Sequence, residues 1–424
     1  MKLSKYTLFH KHENKIYIYH QVSNALFEID NELVNALNAP NLPSEIPDDI
    51  LSSLKNGGFI IDDNTDETCN IRYANLVNRY NSKLMRVTIL PTINCNFRCW
   101  YCYEHHKASK MTEENADSVF KFITTETQKK NIEKIVLDWF GGEPLLRFKS
   151  IIYPLSKRLK SWCEKNNIAF VNIMTTNGSL ITDDMAIKMN EIGLNQMQIT
   201  LDGDKKRHNQ VRYSSAIKNS YDLIVKNIHT LCKTLDNPYI ELRINYTKDN
   251  IDSTFDILDS FEKEIRRYIF VSPHIVWQDA NNRYSLKGKI DRLKKLAYNK
   301  GYGINQCTLA HRCSSCYIDN MEQFVINYDL NVYKCTAREF NEKFCIGKIT
   351  NDGVFIPNEI YYKYYITPSP FMRKKCIECE LLPSCLYMQS CLQKSIEGFS
   401  TDCDKNIIQK SIDEDISYKI QRMQ

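Results

Sequence analysis

Apolar and polar residues alternate through the first thirty positions of the chain. Tyr6 to His10 and Lys15 to His20 read as two strands across the polar turn His12-Glu-Asn14, and Ala25 to Asp30 reads as a third. Two helical stretches follow, Asn31 to Asn38 and Pro43 to Lys55, and Gly57-Gly58 ends the second. Phe59 to Asp62 closes this unit, and the polar run Asp62 to Glu67 reads as a linker. From Leu84 to about residue 303, strand and helix patterns take turns. Strands are predicted at Met85 to Leu90, Lys134 to Phe140, Phe170 to Thr175, Met197 to Leu201, Ile240 to Asn245 and Tyr268 to Val276. Helices are predicted between them at 112–129, 149–166, 182–193, 214–235 and 252–264, with a further helix-like segment at 286–300. Such alternation predicts a parallel sheet with helical crossovers, and six units make a partial barrel rather than a full eight. Ligands of such barrels bind at the C-terminal strand ends. Past residue 304 the pattern breaks into short pieces, including a hairpin over Phe324 to Cys335, and no long helical period returns until Lys405.

Length and composition refine this picture in three places. A chain of 424 residues implies two or three domains at about 100–200 residues each. Hydrophobic residues at 43% and charged residues at 25% are ordinary for a globular protein, and a net charge of +5 is too weak to argue for nucleic acid. Residues 1–15 carry charges throughout, and no run approaches the ~20 apolar residues of a membrane span, so the expected location is the cytoplasm, with no membrane partner.

Sixteen cysteines change the picture most. Cys69, Cys163 and Cys232 are scattered and read as ordinary core or surface thiols, while the rest fall in residues 95–102 and 307–403. The cytosol is reducing, so clustered cysteines there point to metal, and thiolate-rich sites select zinc or iron–sulfur clusters. Cys95, Cys99 and Cys102 directly follow the first barrel strand, spaced by three and then two residues. One loop with this spacing can wrap a small cluster and leave one metal position open, as reactive sites require. A fourth donor from His105 or His106 would instead close a structural zinc site.

The triad resembles the radical S-adenosylmethionine (SAM) signature Cys-x-x-x-Cys-x-x-Cys, including the aromatic before the last cysteine, here Tyr101. The resemblance continues at Gly141-Gly142-Glu143-Pro144 after the second strand, at Thr175-Thr-Asn177-Gly178 after the third, and at Thr200-Leu-Asp-Gly203 after the fourth. It implies an α/β fold: a partial (β/α)6 TIM-like radical SAM barrel over 82–303, with a small α+β domain before it and a cysteine-rich extension after it. It also implies that Gly141 to Pro144 meet the SAM amino group, and that Thr200 and Arg212 hold its carboxylate. Tyr101 and Asn177 are the other expected cofactor contacts, and Asp202 is read as shaping its turn.

Residues 304–424 resemble the SPASM extension, which carries two auxiliary 4Fe–4S clusters and would bring the total to three. By that resemblance Cys376, Cys379, Cys385 and Cys403 hold the outer cluster. Cys316, Cys335 and Cys391 hold the inner one, with Cys313 or Cys307 as fourth ligand. The chain departs from the family pattern in having five residues before Cys391, surplus cysteines around residue 313, and Cys345 with no role. One or two structural zinc sites would use the same donors.

Proteins of this family cleave SAM reductively to methionine and a 5′-deoxyadenosyl radical, and mostly modify peptides. Residues 1–78 resemble the winged-helix-like peptide-recognition domain of enzymes that mature ribosomally made peptides, which takes a leader peptide as an added strand. The leading expectation is therefore a maturase that installs a thioether or carbon–carbon crosslink in a precursor peptide, fed by an external electron donor. An anaerobic sulfatase-maturase-like enzyme forming formylglycine is the second reading. Thr336 stands where that family has an Asp, which counts against it. The third is a non-enzymatic, metal-stapled peptide-binding protein. No catalytic acid or base stands out by spacing.

Overall fold

The computed structural model describes residues 1–39, 46–80, 83–282, 285–304, 316–337, 340–366, 370–389, 403 and 405–423. Contacts divide the chain into two compact units: Met1–Ser82, Cys307–Met321 and Tyr362–Gln424 form the first, and Lys83–Gln306 with Glu322–Tyr361 form the second.

In the first unit, β1 (Lys2–Leu3) pairs with β5 (Ile60–Ile61), and β2 (Thr7–His12), β3 (Lys15–His20) and β4 (Leu26–Ile29) form an antiparallel sheet in that order. These are the three strands expected from the alternation. Helix α1 (Asn31–Asn38) starts where the Asp30 carboxylate accepts the Leu33 N–H at 2.7 Å, satisfying one of the free donors of the first turn. Helix α2 (Asp48–Asn56) follows. Helix α3 (Glu67–Tyr80) occupies the stretch just after the expected linker. One face of α1, α2 and the sheet closes over Ile18, Leu37, Leu54 and Phe59.

The same unit contains a helix at Lys405–Met423. Its Ile408, Ile412, Ile416 and Ile420 recur every fourth residue, which puts them on one face. That face packs against Leu8, Tyr17, Tyr19 and Leu26 of the sheet. His10 reaches Ser417 (Nε2 to Oγ, 2.8 Å) and Asp413 (3.5 Å), fixing the helix in register.

The second unit is built on an eleven-stranded sheet. Its strands are β6 (Leu84–Leu90), β8 (Lys134–Trp139), β9 (Ala169–Thr176), β10 (Leu194–Leu201), β12 (Tyr239–Tyr246), β13 (Ile269–Ile275), β14 (Gly303–Ile304), β15 (Gln323–Asn327), β16 (Asn331–Tyr333), β17 (Gly347–Ile349) and β18 (Phe355–Pro357). The order is β14-β13-β12-β10-β9-β8-β6-β15-β16-β17-β18, parallel from β14 to β15 and antiparallel thereafter. A separate short pair joins β7 (Arg98–Cys99) to β11 (Arg212–Tyr213). The six expected barrel strands are present, within three residues at each end. The expected hairpin after residue 322 extends the sheet: β15 lies parallel to β6, with Val325 opposite Thr88.

The crossovers are α4 (Glu113–Lys129), α5 (Tyr153–Lys165), α6 (Asp183–Glu191), α7 (Lys205–Val211) with α8 (Ser220–Thr234), and α9 (Lys287–Asn299). Thr112, Thr182 and Asp204 cap α4, α6 and α7 through their side-chain oxygens. The helix expected at 252–264 is instead a 3-10 run, Asp252–Asp259. It is followed by a 3-10 turn, Arg266–Tyr268. Alternate strand residues such as Val87, Leu137, Ile199 and Leu242 are fully buried on one face. The intervening positions on the other face include a polar group, Arg86, Thr88, Asp138, Thr200, Arg243 and Asn245. This large, mostly parallel sheet with its crossover helices is an α/β, TIM-like core.

Candidate functional site

The cysteine triad sits on the loop leaving β6, at the C-terminal edge of the parallel strands. Cys95 is buried, Cys99 partly so, and Cys102 is exposed. The Phe97 N–H (3.4 Å) and the Asn177 amide (3.9 Å) donate to Cys95 Sγ. Burial, then the Glu143 charge, pushes the Cys95 thiol up to about 12. Burial pushes Cys102 up to about 11 and raises Cys99. Such thiols become ligands only when a metal displaces their protons.

The glycine pair supports this loop. A Cβ on Gly141, whose φ is +122°, would lie 2.3 Å from the Thr92 carbonyl oxygen, and one on Gly142 would lie 2.3 Å from that of Asn94. Only glycine lets the β8 turn pack this closely on the residues leading into Cys95. The Glu143 N–H completes the dock by donating to Asn94 O at 2.9 Å.

The Glu143 carboxylate is fully buried. It accepts from Leu145 N (3.0 Å), Thr176 Oγ1 (2.7 Å) and Asn177 N (2.7 Å), capping the turn at Pro144 and tying it to the end of β9. Burial still raises its pKa, against those hydrogen bonds. Asn177 in turn donates to Asn96 Oδ1 at 2.8 Å, so the ends of β8 and β9 both brace the triad loop.

On the opposite side, β7 and β11 place Arg212 directly across from Cys99. The Tyr101 hydroxyl donates to Asp202 and accepts from Arg212 (2.9 Å) and Asn245 (3.2 Å). Arg212 and Asp202 are 3.6 Å apart. Arg212 Nε is buried with no hydrogen-bond partner among the described residues. Thr200, one position before Leu201 at the end of β10, lies opposite Arg243 of β12.

Asp202, Asn245 and His208 were missed as site residues by sequence reasoning. His208 accepts the Asp202 N–H at 3.2 Å through Nδ1. A carboxylate at the C-terminal end of a parallel strand was the available signal for Asp202. Glu104 was also missed: both carboxylate oxygens are buried without a partner among the described residues, and burial pushes its pKa up to about 7.

The C-terminal cysteines separate between the units. Cys385 is raised to about 12 by burial and then by the charges of Cys403, Cys379 and Cys376, so these four thiols share one neighbourhood in the first unit. Cys316 belongs to the first unit and Cys335 to the second. Cys307, Cys313 and Cys391 lie outside the described residues. Cys345 packs with Leu90, Ile93, Val325, Tyr333 and Phe344, and its thiol donates to Gly347 O at 3.2 Å, as a core thiol does. Among the described residues no three His, Cys, Asp or Glu side chains converge on a single ion. Cysteines of an iron–sulfur cluster each bind a different iron and need no such convergence.

Residues 89–261 match the family profile of the radical SAM superfamily. The chain carries a radical SAM domain. Among curated proteins it is 23% identical over 308 residues to the radical SAM cyclopropyl synthase TigE of Paramaledivibacter caminithermalis, covering 62% of this chain and 64% of the relative. The chain thus spans less than two thirds of that relative's length. It is 24% identical over 368 residues to a cysteine-type anaerobic sulfatase-maturating enzyme of Clostridium novyi, covering 78% of this chain and 93% of the relative. Among solved structures, anSMEcpe with bound AdoMet and the Cp18Cys peptide superposes with a TM-score of 0.54 at 18% identity, over 72% of this chain and 88% of that one. Streptococcus suis SuiB superposes with a TM-score of 0.51 at 15% identity, over 93% of this chain and 97% of that one. These likenesses show a shared fold, and the radical SAM domain places the triad and Gly141-Gly142-Glu143-Pro144 within the matched span. The chain resembles peptide- and protein-modifying members of the superfamily.

Proposed function

We propose that this radical SAM protein is an enzyme that installs a crosslink, thioether or carbon–carbon, in a ribosomally made precursor peptide. The observation that carries the reading is the triad loop clamped between the Gly141-Gly142 turn and the Tyr101–Arg212 contact. The residues suit the groups the family implies. Three thiols on one loop, with N–H donors to Cys95 Sγ, suit a 4Fe–4S cluster with one open iron. The buried, unpaired Arg212 Nε suits an anionic ligand such as the SAM carboxylate. When bound, cluster and SAM supply reductive cleavage to methionine and a 5′-deoxyadenosyl radical. The chain's own residues do the rest. Phe97 and Asn177 steady the ligand sulfur, and Arg212 and Thr200 would orient the cofactor's carboxylate end.

The four-thiol group of the first unit supports an outer auxiliary cluster on Cys376, Cys379, Cys385 and Cys403. The sheet β2-β3-β4 with α1 to α3 supports a leader-recognition role, with the leader added as a strand. A second reading, formylglycine formation on a sulfatase, draws support from the long match to the Clostridium novyi enzyme.

The test is anaerobic reconstitution with iron and sulfide, followed by dithionite and SAM. Wild type should form 5′-deoxyadenosine, and replacing Cys95, Cys99 and Cys102 with Ala should abolish it while leaving the remaining iron bound. No 5′-deoxyadenosine from the wild type defeats the proposal. Mass spectrometry of a precursor peptide and of a sulfatase peptide then separates the two readings, by loss of hydrogens with a crosslink or by conversion of Cys or Ser to formylglycine.

A further inference from the structure

Four segments that are distant in sequence meet at one hydroxyl. Tyr101 comes from the triad loop, Asp202 from the end of β10, Arg212 from β11 and Asn245 from β12. The Tyr101 hydroxyl has one proton and two lone pairs, and all three are used: it donates to Asp202 and accepts from Arg212 and Asn245. Its ring is therefore fixed rather than merely packed.

Asp202 is the group around which the others are arranged. It is 1% exposed. Its Oδ2 accepts the Tyr101 hydroxyl hydrogen bond and faces the Arg212 guanidinium at 3.6 Å, while its Oδ1 accepts the Asn245 backbone N–H at 3.3 Å. The Asn245 side chain bridges onward, accepting from Arg243 Nε at 2.9 Å. A buried guanidinium without a counter-charge is strongly disfavoured, so Asp202 is what makes the buried position of Arg212 tenable. Arg212 also stacks over Phe97 at 5.6 Å and pairs by backbone with Cys99, so its orientation and that of the triad loop are set together. With one guanidinium nitrogen committed to Tyr101, the unpartnered Nε remains for a ligand.

We infer that Asp202 is a positioning residue for SAM: it holds the Tyr101 ring and the Arg212 fork in one fixed relation to the triad loop, so that the cofactor meets both already oriented. This rests on the reading of the protein as a SAM enzyme. Asp202 acts through Tyr101 and Arg212 and touches no reacting atom.

The experiment uses the full-length, anaerobically reconstituted protein as wild type, Asp202→Asn, Tyr101→Phe and the double variant. Each is measured for iron content, for SAM affinity by anaerobic equilibrium dialysis, and for the change SAM produces in the EPR spectrum of the reduced protein. Asp202→Asn keeps shape but removes the charge and leaves one acceptor oxygen where Asp202 has two, and Tyr101→Phe removes only the hydroxyl. The expected result is unchanged iron, SAM affinity weakened about tenfold or more in each single variant, and an altered EPR response. The double variant should lose less than the product of the two single losses, since both act on one network. A purely structural Asp202 would lower stability without shifting SAM affinity or the spectrum, and that result overturns the inference. If Asp202→Asn loses iron, Tyr101→Phe alone decides: wild-type SAM affinity and spectrum there overturn the inference. Absence of SAM binding by the wild type would instead overturn the proposed function itself.

Discussion

Asp138 shows how a single partly buried side chain sets a pH dependence. It lies on β8, 3.8 Å from Arg86 and 3.3 Å from the Thr88 hydroxyl. Burial outweighs both and raises its pKa from 3.8 to about 6. A carboxyl whose folded pKa is raised favours the fold fully below the unfolded value, and that contribution is lost as pH rises through the folded value. The window is therefore pH 4 to 6, and the loss is on the order of 2–3 kcal/mol, at about 1.4 kcal/mol per pH unit. Asp138→Asn should gain stability over wild type as pH rises from 4 to 6 and hold a constant gain above that, measured by thermal unfolding across the range. Parts of the candidate site were legible in the sequence because they are local. Cys95, Cys99 and Cys102 share one loop, and two adjacent glycines at a strand end announce a close backbone approach. Asp202 was read as shaping its turn, because its partners at 101, 212 and 245 are brought together only by the sheet order. The Glu143 carboxylate, expected from the sequence to meet an ammonium, also accepts from Leu145, Thr176 and Asn177 of the chain itself, which no local pattern reports.

Among the elements, the clearest periodic signals survived the comparison of pattern with structure. The six barrel strands and the helix beginning at Lys405 are where alternation and four-residue spacing placed them. The 252–264 segment failed as a helix. Thr254, Ile257 and Leu258 are its buried positions, and the chain meets them with a 3-10 run instead. Helix α3 went unread because its apolar residues do not form one stripe: Ile71 is buried while Tyr73 and Leu76 are exposed. The parallel pairing of β15 with β6 joins residues some 240 positions apart, and no local pattern reports it. The Lys405–Met423 helix gives a direct test of packing. Ile412 is 0% exposed within its sheet-facing row. Ile412→Ala should cost about 2–5 kcal/mol, read from denaturant unfolding of the first unit, because the fixed sheet cannot collapse into the cavity.

Across the whole molecule, the candidate ligand thiols divide between the two units. The triad and its bracing belong to the second unit, and Cys376, Cys379, Cys385 and Cys403 to the first. Replacing Cys376, Cys379 and Cys385 with Ala should remove about four irons per chain while leaving the EPR response to SAM intact, since a 4Fe–4S cluster needs its own thiolates. Iron analysis and EPR on the same samples check this, and loss of the SAM response would contradict separate sites. Sequence order hides this division, because the first unit draws on both the beginning and the far end of the chain. The row from Ile408 to Ile420 against Leu8, Tyr17, Tyr19 and Leu26 therefore has a cost in time during synthesis. From Leu26 to Ile408 the ribosome adds about 380 residues, roughly 20–80 s at 5–20 residues per second. For that interval one face of the newborn sheet is greasy and uncovered, a target for chaperones and a seed for clumping until its lid emerges.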